Sequence, residues 1–311
     1  MAKCGFCRRR EAVFVRGYSG ERLCKHCFHQ SIEDRVRASI AEYDMFGFDD
    51  RILVAVSGGK DSVGLLHVLA GIERKFPKAS LFAVSIDEGI KGYRGEALKI
   101  AAENCKVLGI EHRVLSFEGL FGLTLDELME KAMRVAEKRL NACTYCGVLR
   151  RRALDVAAKR FEVDVIALGH NLDDVVQTFL LNVVHGDVWR LTRFGAVSVE
   201  SGGRFVRRVR PFCLVPERET AFYAYLKGIR FQSVACPYAG EALRNDMRFW
   251  LNRLEYRHNG SLFTLFRSFE KIGKAMELKE KEPSVCKRCG QPCAEDEAVC
   301  MACRFLEELG V

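Results

Sequence analysis

RILVAVSGGKDS, residues 51–62, decides the fold. Its first half is a short run of apolar, mostly β-branched residues, the pattern of a strand buried on both faces. Two glycines then turn the chain, and helical periodicity runs over 62–75. A strand that feeds a helix through a glycine turn aims backbone N–H groups at one point, which suits an anion. Lys60 adds a positive charge, and Ser57 and Ser62 add hydroxyl donors. The spacing is not the G-x-x-x-x-G-K-[ST] of the kinase-type loop. Two glycines alone would fit any strand-to-helix turn; the whole hexapeptide in this context argues for a phosphate loop.

The same alternation extends outward. Residues 80–87, 111–117 and 163–170 read as further buried strands, and helical periodicity fills 95–108, 125–140 and 147–161. This predicts an α/β domain, a parallel sheet with helices on both faces. Ligands of such sheets bind at the carboxyl ends of the strands. SGGKDS (57–62), DEGIKGYR (87–94) and GHNLDD (169–174) all lie there. A helix is expected over 174–184, a further strand over 204–211, a helix over 215–228 and two helices within 240–274.

The chain has 311 residues, 49% of them apolar and 29% charged, enough for a sizeable core in a soluble protein. No apolar run reaches the ~18 residues of a membrane span. MAKCGFCRRR lacks the apolar segment of a secretory signal, so the cytoplasm is the expected compartment. Thiols stay reduced there, and fourteen cysteines call for an explanation other than disulfides. Cys4, Cys7, Cys24 and Cys27 form two C-x-x-C knuckles around a hairpin-length segment, the pattern of a zinc ribbon. Cys286, Cys289, Cys300 and Cys303 repeat it, with Cys293 a bystander. The expected division is a ribbon over 1–30, a catalytic domain over 31–280 and a second ribbon over 281–311, tethered by 276–284. Cys143 and Cys146 have no second knuckle nearby. From the residues alone they can be half of a zinc site, a redox pair or part of a larger set. Cys105, Cys213 and Cys236 stand alone.

SGGKDS resembles the PP-loop of the ATP pyrophosphatase superfamily. The order of ribbon, SGGKDS, C-x-x-C-G with a basic helix, GHN-x-DD, a later Cys-Pro and a second ribbon resembles the TtcA/TtuA group of tRNA 2-thiolation enzymes over nearly the whole chain. DEGIKGYR, CTYCGVLRRRAL (143–154), HGDVWRLTR (185–193) and CPYAGEALR (236–244) are most similar to the cytoplasmic tRNA 2-thiolation protein 1 branch.

That resemblance implies a tRNA uridine 2-sulfurtransferase. ATP adenylates the C2 oxygen of a uridine, and sulfur replaces it. Ser57, Gly58, Gly59, Lys60, Asp61 and Ser62 are then expected to hold the phosphates, and Ala55, Ile86 and Gly169 to approach the nucleotide. Asp174, with Asp173 as alternate, is expected to orient Mg²⁺ or reacting groups; helix capping is the structural alternative. Gln177 stands where the family often has Glu. Arg150, one turn after Cys146, is a candidate cation for the activated uridine. Cys143, Cys146 and Cys236 form the implied ligand set of a [4Fe–4S] cluster with one open iron. A zinc site completed by Cys213 or Cys105, and a persulfide relay between Cys143 and Cys236, are the alternatives. The wobble uridine is the first-choice target and the T-loop uridine the second. The implied partners are tRNA and a ubiquitin-like sulfur carrier with a C-terminal thiocarboxylate, or free sulfide, on a homodimer. A net charge of +8 agrees with an acidic partner, and the arginines of 150–152 and 204–210, with 8–10 and 287–288 on the ribbons, are expected to follow it. A PP-loop amidotransferase would leave the ribbons and the Cys triad unexplained. A ribbon-bearing RNA-binding protein without activity would leave SGGKDS and GHNLDD unexplained.

Overall fold

The computed structural model describes residues 2–311 except 77, 136–139, 189–190, 192–194, 199–205, 242, 277–283 and 294–296. The end of the helix expected over 125–140, most of the tether at 276–284, and residues 204–205 of the expected strand therefore lie outside the described residues. At the N-terminus β1 (Phe14–Val15) pairs antiparallel with β2 (Arg22–Leu23), and α1 (Lys25–Glu42) follows directly. No helix was expected there, and α1 runs across residue 30, the expected edge of the ribbon. Its buried Phe28, Ile32, Val36 and Ser39 recur at one helical face.

The central sheet contains β3 (Arg51–Ala55), β4 (Ser80–Asp87), β5 (Glu111–Ser116), β6 (Val165–Ala167) and β7 (Arg207–Val209), in the order β5-β4-β3-β6-β7. Every pairing is parallel; Val54, for instance, lies between Ala83 and Ala167. Leu53, Val54, Ala83, Val165, Ile166 and Ala167 are completely buried, as continuous apolar runs require. β7 is short because Arg210 leaves the strand and its carbonyl accepts the Cys213 N–H at 2.9 Å.

Helices cover both faces. On one side lie α1, α2 (Lys60–Glu73), α7 (Leu172–Val184) and the helix Glu217–Lys227, together with the first cysteine quartet. On the other lie α5 (Leu125–Val135), α6 (Ala142–Arg160) and the second quartet; α3 (Arg94–Leu108) and the one-turn α4 (Phe117–Phe121) flank β4 and β5. Helices Leu243–Arg257 and Ser261–Ala275 pack on α7. The strand order reverses between β3 and β6, so a crevice opens where the loops after these two strands part, the usual ligand position in such sheets.

α6 begins five residues earlier than expected. Asn141 caps it, its side chain accepting the Thr144 N–H at 2.8 Å. Cys143 and Cys146 therefore sit inside the first helical turns, three residues apart on one face, rather than ahead of the helix.

Candidate active site

The phosphate loop is fixed by its own hydroxyls. Ser62 Oγ donates to Gly59 O at 2.9 Å and accepts the Ser57 N–H at 3.1 Å, while the two serine oxygens lie 3.0 Å apart. Gly58 has φ +89°, and a Cβ there would stand 2.3 Å from Ala97 O, so the position admits only glycine. Gly169 is also pressed close, but against the backbone of Asp61 and Ser62, 3.0 Å from an added Cβ. Its small size lets the second loop pack on the first.

Lys60 Nζ bridges Asp61 at 2.7 Å and Glu217 at 2.8 Å. Burial works against its charge, yet the two carboxylates hold its pKa above the ordinary value. Asp61 also accepts from Asn171 Nδ2 at 3.2 Å and from Thr220 Oγ1. Asp173 accepts the Glu217 N–H at 2.7 Å, and burial pushes its carboxyl up to about 6. Asp174 completes a capping box with Asn171 and lies 3.7 Å from Arg244. Both aspartates thus hold helix ends while they line the crevice. Between them and β6, His170 Nδ1 is buried without a hydrogen-bond partner. Burial, with Arg210, Arg244 and Arg150 nearby, lowers its pKa to about 3. An unpartnered nitrogen amid arginines suits a crevice built for an anionic ligand.

Two residues of DEGIKGYR carry roles that its motif did not disclose. Arg94, 4% exposed, donates to Ser57 O at 2.6 Å and to Ile86 O at 2.8 Å, tying the ends of β3 and β4 together. Glu88, 3% exposed, pairs with Arg94 Nε at 2.7 Å and with Arg150 NH2 at 2.8 Å. Arg150 NH2 in turn lies 3.1 Å from Cys146 Sγ. Burial raises the Cys146 thiol, and Arg150 opposes the rise. Ile86 presents its carbonyl to Arg94, while Ala55 ends β3 half-buried. An acid inside a glycine-rich motif at a strand end was the available signal for Glu88.

The turn Pro237–Glu241 packs against α6. It carries Cys236 to the apolar cluster that holds Cys146, and Cys143 Sγ lies 3.6 Å from Tyr238 O. The three central thiols thus share one region, with Cys146 buried and Cys143 exposed. They do not form a group whose ligand atoms all lie within 4.8 Å; among the described residues the two terminal quartets are the groups that do. This difference has a chemical sense. Four thiolates ~2.3 Å from one tetrahedral ion stand about 3.8 Å apart. Cys7 and Cys24 are separated by 3.8 Å, and Cys289 and Cys300 by 3.7 Å. A cluster spreads its thiolates over separate irons and needs no such approach. At Cys4 and Cys286 backbone N–H donors outweigh burial and pull the thiols down to about 6, whereas burial pushes Cys27 up to about 12 and raises Cys300 and Cys303. Cys105 and Cys213 are buried, and burial pushes their thiols up to about 11 and about 12. Neither joins the central three.

The arginines expected to meet an acidic partner are partly engaged within the protein. Arg208 pairs with Asp155, Arg207 NH1 donates to Asp44 O at 2.9 Å, and Arg210 NH1 donates to Gly195 O at 2.7 Å.

Fold and loop together define a PP-loop protein, and the model of the PP-loop domain family matches residues 29–254. Similar chains narrow the class. A probable sulfurtransferase of Methanocaldococcus jannaschii is 35% identical over 99% of this chain and 88% of its own. Cytoplasmic tRNA 2-thiolation protein 1 of Chlamydomonas reinhardtii is 37% identical over 98% and 84%. The U34-tRNA thiolase NcsA from Methanococcus maripaludis, solved with its [4Fe-4S] cluster, superposes with a TM-score of 0.86 at 30% identity, covering 100% of this chain and 97% of its own. The chain belongs to the PP-loop family of tRNA 2-thiolation proteins. Among the described residues no helix is long and apolar enough to cross a membrane.

Proposed function

We propose that this chain is an ATP-dependent tRNA uridine 2-sulfurtransferase acting at the wobble position in the cytoplasm. The observation that carries the reading is the physical link between phosphate loop and thiols. One buried carboxylate, Glu88, pairs with Arg94, which grips Ser57, and with Arg150, which reaches Cys146. The two chemistries that thiolation couples therefore meet at one crevice. The M. maripaludis relative, a U34-tRNA thiolase, supports the same target.

The C2 oxygen of uridine is a poor leaving group; transfer of AMP to it from ATP makes it a good one. Residues 57–62 hold the phosphates, and Lys60 offsets their charge. Asp173 and Asp174 face the same crevice as candidate partners of Mg²⁺. Arg150 can stabilise charge on the adenylated base beside the thiols. Cys143, Cys146 and Cys236 are the residues that would hold a [4Fe–4S] cluster, which with three protein thiolates leaves one iron open to a sulfur ligand. The two quartets, over 1–30 and 281–311, hold structural zinc around the catalytic domain of 31–280. The sulfur comes from a thiocarboxylated ubiquitin-like carrier or free sulfide, and the working form is a homodimer.

The test is anaerobic thiolation of an unmodified tRNA transcript with ATP and sulfide, read by nucleoside mass spectrometry and mapped on nuclease fragments. The expected result is 2-thiouridine in the anticodon fragment, with AMP and pyrophosphate released. Label in the T-loop fragment would move the target, and no thiouridine under any condition would sink the reading.

A further inference from the structure

The helix Leu243–Arg257 turns one side chain, Leu251, fully into the protein. Met247 and Leu254 are half-buried beside it, so a single narrow seam faces the core. The other side carries Phe249, Trp250 and Tyr256, which are 73%, 51% and 87% exposed. Arg253 and Arg257 are exposed on the same side. Spacings of three and four residues bring these rings and guanidiniums into one stripe, ring beside cation along the helix. Large rings held in water gain nothing for the fold. Alternating rings and cations are what an unpaired nucleic-acid strand uses, bases stacking on the rings and phosphates meeting the cations.

The stripe is joined to the phosphate loop. Arg248 NH2 donates to Glu217 Oε1 at 2.7 Å, and that same oxygen holds Lys60 Nζ. Arg244 NH2 donates to Thr178 Oγ1 at 2.9 Å on α7. A cavity of about 460 Å³ runs between Lys60 and Glu217 on one wall and Asn252 and Tyr256 on the other. That volume lies within the range of small-ligand sites. One end of the stripe therefore borders a space that reaches the loop lysine.

We propose that Phe249, Trp250, Arg253, Tyr256 and Arg257 form a stacking platform for unpaired nucleotides of the tRNA substrate, flanking the uridine that enters the site. This rests on the thiolation reading above. A single-stranded loop fits the stripe better than a duplex does, because only unpaired bases expose the faces that rings can stack on. The net charge of +8, and the engagement of Arg207, Arg208 and Arg210 within the protein, favour RNA at this helix over the expected strand.

The test measures binding of the full-length protein to tRNA, to an isolated anticodon hairpin and to a loop-free RNA duplex, with Phe249→Ala, Trp250→Ala, Tyr256→Ala and Arg253→Gln variants. Loss of one stacked base weakens tRNA and hairpin binding by roughly 5- to 150-fold for each aromatic variant. Arg253→Gln lowers the slope of log affinity against log salt by about 1. Trp250→Ala leaves ATP affinity unchanged, which shows that the variant folds. Undiminished RNA affinity in Trp250→Ala and Tyr256→Ala, with wild type still thiolating tRNA, overturns the platform and leaves the function standing. Dissociation of a dimer with RNA affinity intact assigns the stripe to a copy-to-copy contact and also overturns it. Wild-type protein that binds no tRNA defeats both.

Discussion

Glu88 Oε1 lies 2.8 Å from Arg150, whose guanidinium stands 3.1 Å from Cys146 Sγ. The other Glu88 oxygen holds Arg94, which is buried like Glu88 itself. Removing one partner of such a pair leaves an uncompensated charge, at a cost of about 3–5 kcal/mol. Glu88→Ala is expected to lose stability on that scale in urea unfolding, and Glu88→Gln less, because the amide keeps one acceptor. Alkylation of Cys146 should change in both variants as Arg150 loses its anchor. Wild-type stability in Glu88→Ala would mean that Arg94 and Arg150 find other partners.

Gly58→Ala tests the loop geometry. The new Cβ would meet Ala97 O at 2.3 Å on a residue already at φ +89°. The loop must shift, so ATP binding measured by calorimetry should fall beyond detection, with roughly 1–3 kcal/mol of stability lost as well. Gly59→Ala is the control for backbone strain alone, read in stability, since its nearest neighbour would be Ser57 Oγ at 3.5 Å. Equal ATP affinity in Gly58→Ala and wild type would show that the loop accommodates the strain.

Much of this was legible from residue types. β3 and β4 could be read because strands buried on both faces are continuous apolar runs, and Leu53 and Val84 are indeed buried. SGGKDS and the quartets could be read because their chemistry depends on local spacing. α1 was missed although Phe28, Ile32 and Val36 mark its face, because the cysteines drew its first turns, up to residue 30, into a ribbon. The start of α6 was missed because Asn141 gave no hydrophobic signal, only a capping one. The links from Glu88 to Arg150 and from Arg94 to Ser57, and the engagement of Arg207 and Arg208, were not legible, since each depends on a partner distant in sequence. Gly169, expected to approach the nucleotide, has a further role not legible for the same reason: its close neighbour is the loop backbone from over a hundred residues earlier.

Cys236→Ala separates the cluster from the alternatives. Anaerobically reconstituted wild type should hold about four irons, by analogy with the cluster type. The variant should lose iron, acid-labile sulfide and visible absorbance while keeping ATP affinity and zinc. If iron stays at the wild-type level, Cys236 is not a ligand. If wild type itself takes up no iron yet thiolates tRNA, the cluster reading fails; a relay between Cys143 and Cys236 then requires a persulfide donor, because sulfide and a thiocarboxylate carry sulfur too reduced to form a persulfide on a cysteine.

His170 sets a pH dependence whose sign follows from its depressed pKa. Burial and three arginines hold it neutral, down to about 3, against 6.5 for the free side chain. Its contribution is whole above 6.5 and is lost as pH falls from there toward 3, because the unfolded chain takes up the proton first. The slope is at most about 1.4 kcal/mol per pH unit for one proton. His170→Gln should therefore flatten stability against pH between 6.5 and 4, by on the order of 2 kcal/mol in all. Parallel curves for wild type and variant would show that other groups govern the acid limb.

The second quartet bears on the thiols through one ring contact. Tyr145, between Cys143 and Cys146, meets Phe305 edge-on at 4.8 Å, and both rings are buried. Phe305 lies on the helix Met301–Glu308, whose N-cap is Cys300 of the quartet. A metal held by the quartet would thus order a helix that packs on the thiol-bearing turn of α6. Phe305→Ala should cost about 3–5 kcal/mol through the cavity it leaves. It should also speed alkylation of Cys146 in cluster-free protein, as α6 loses its cover. Replacing Cys300 with Ser should lower the metal content from two ions to one and produce the same acceleration, because the helix then loses its anchor. A stability loss with unchanged Cys146 alkylation would confine the quartet to holding its own segment together, with no influence on the thiol helix.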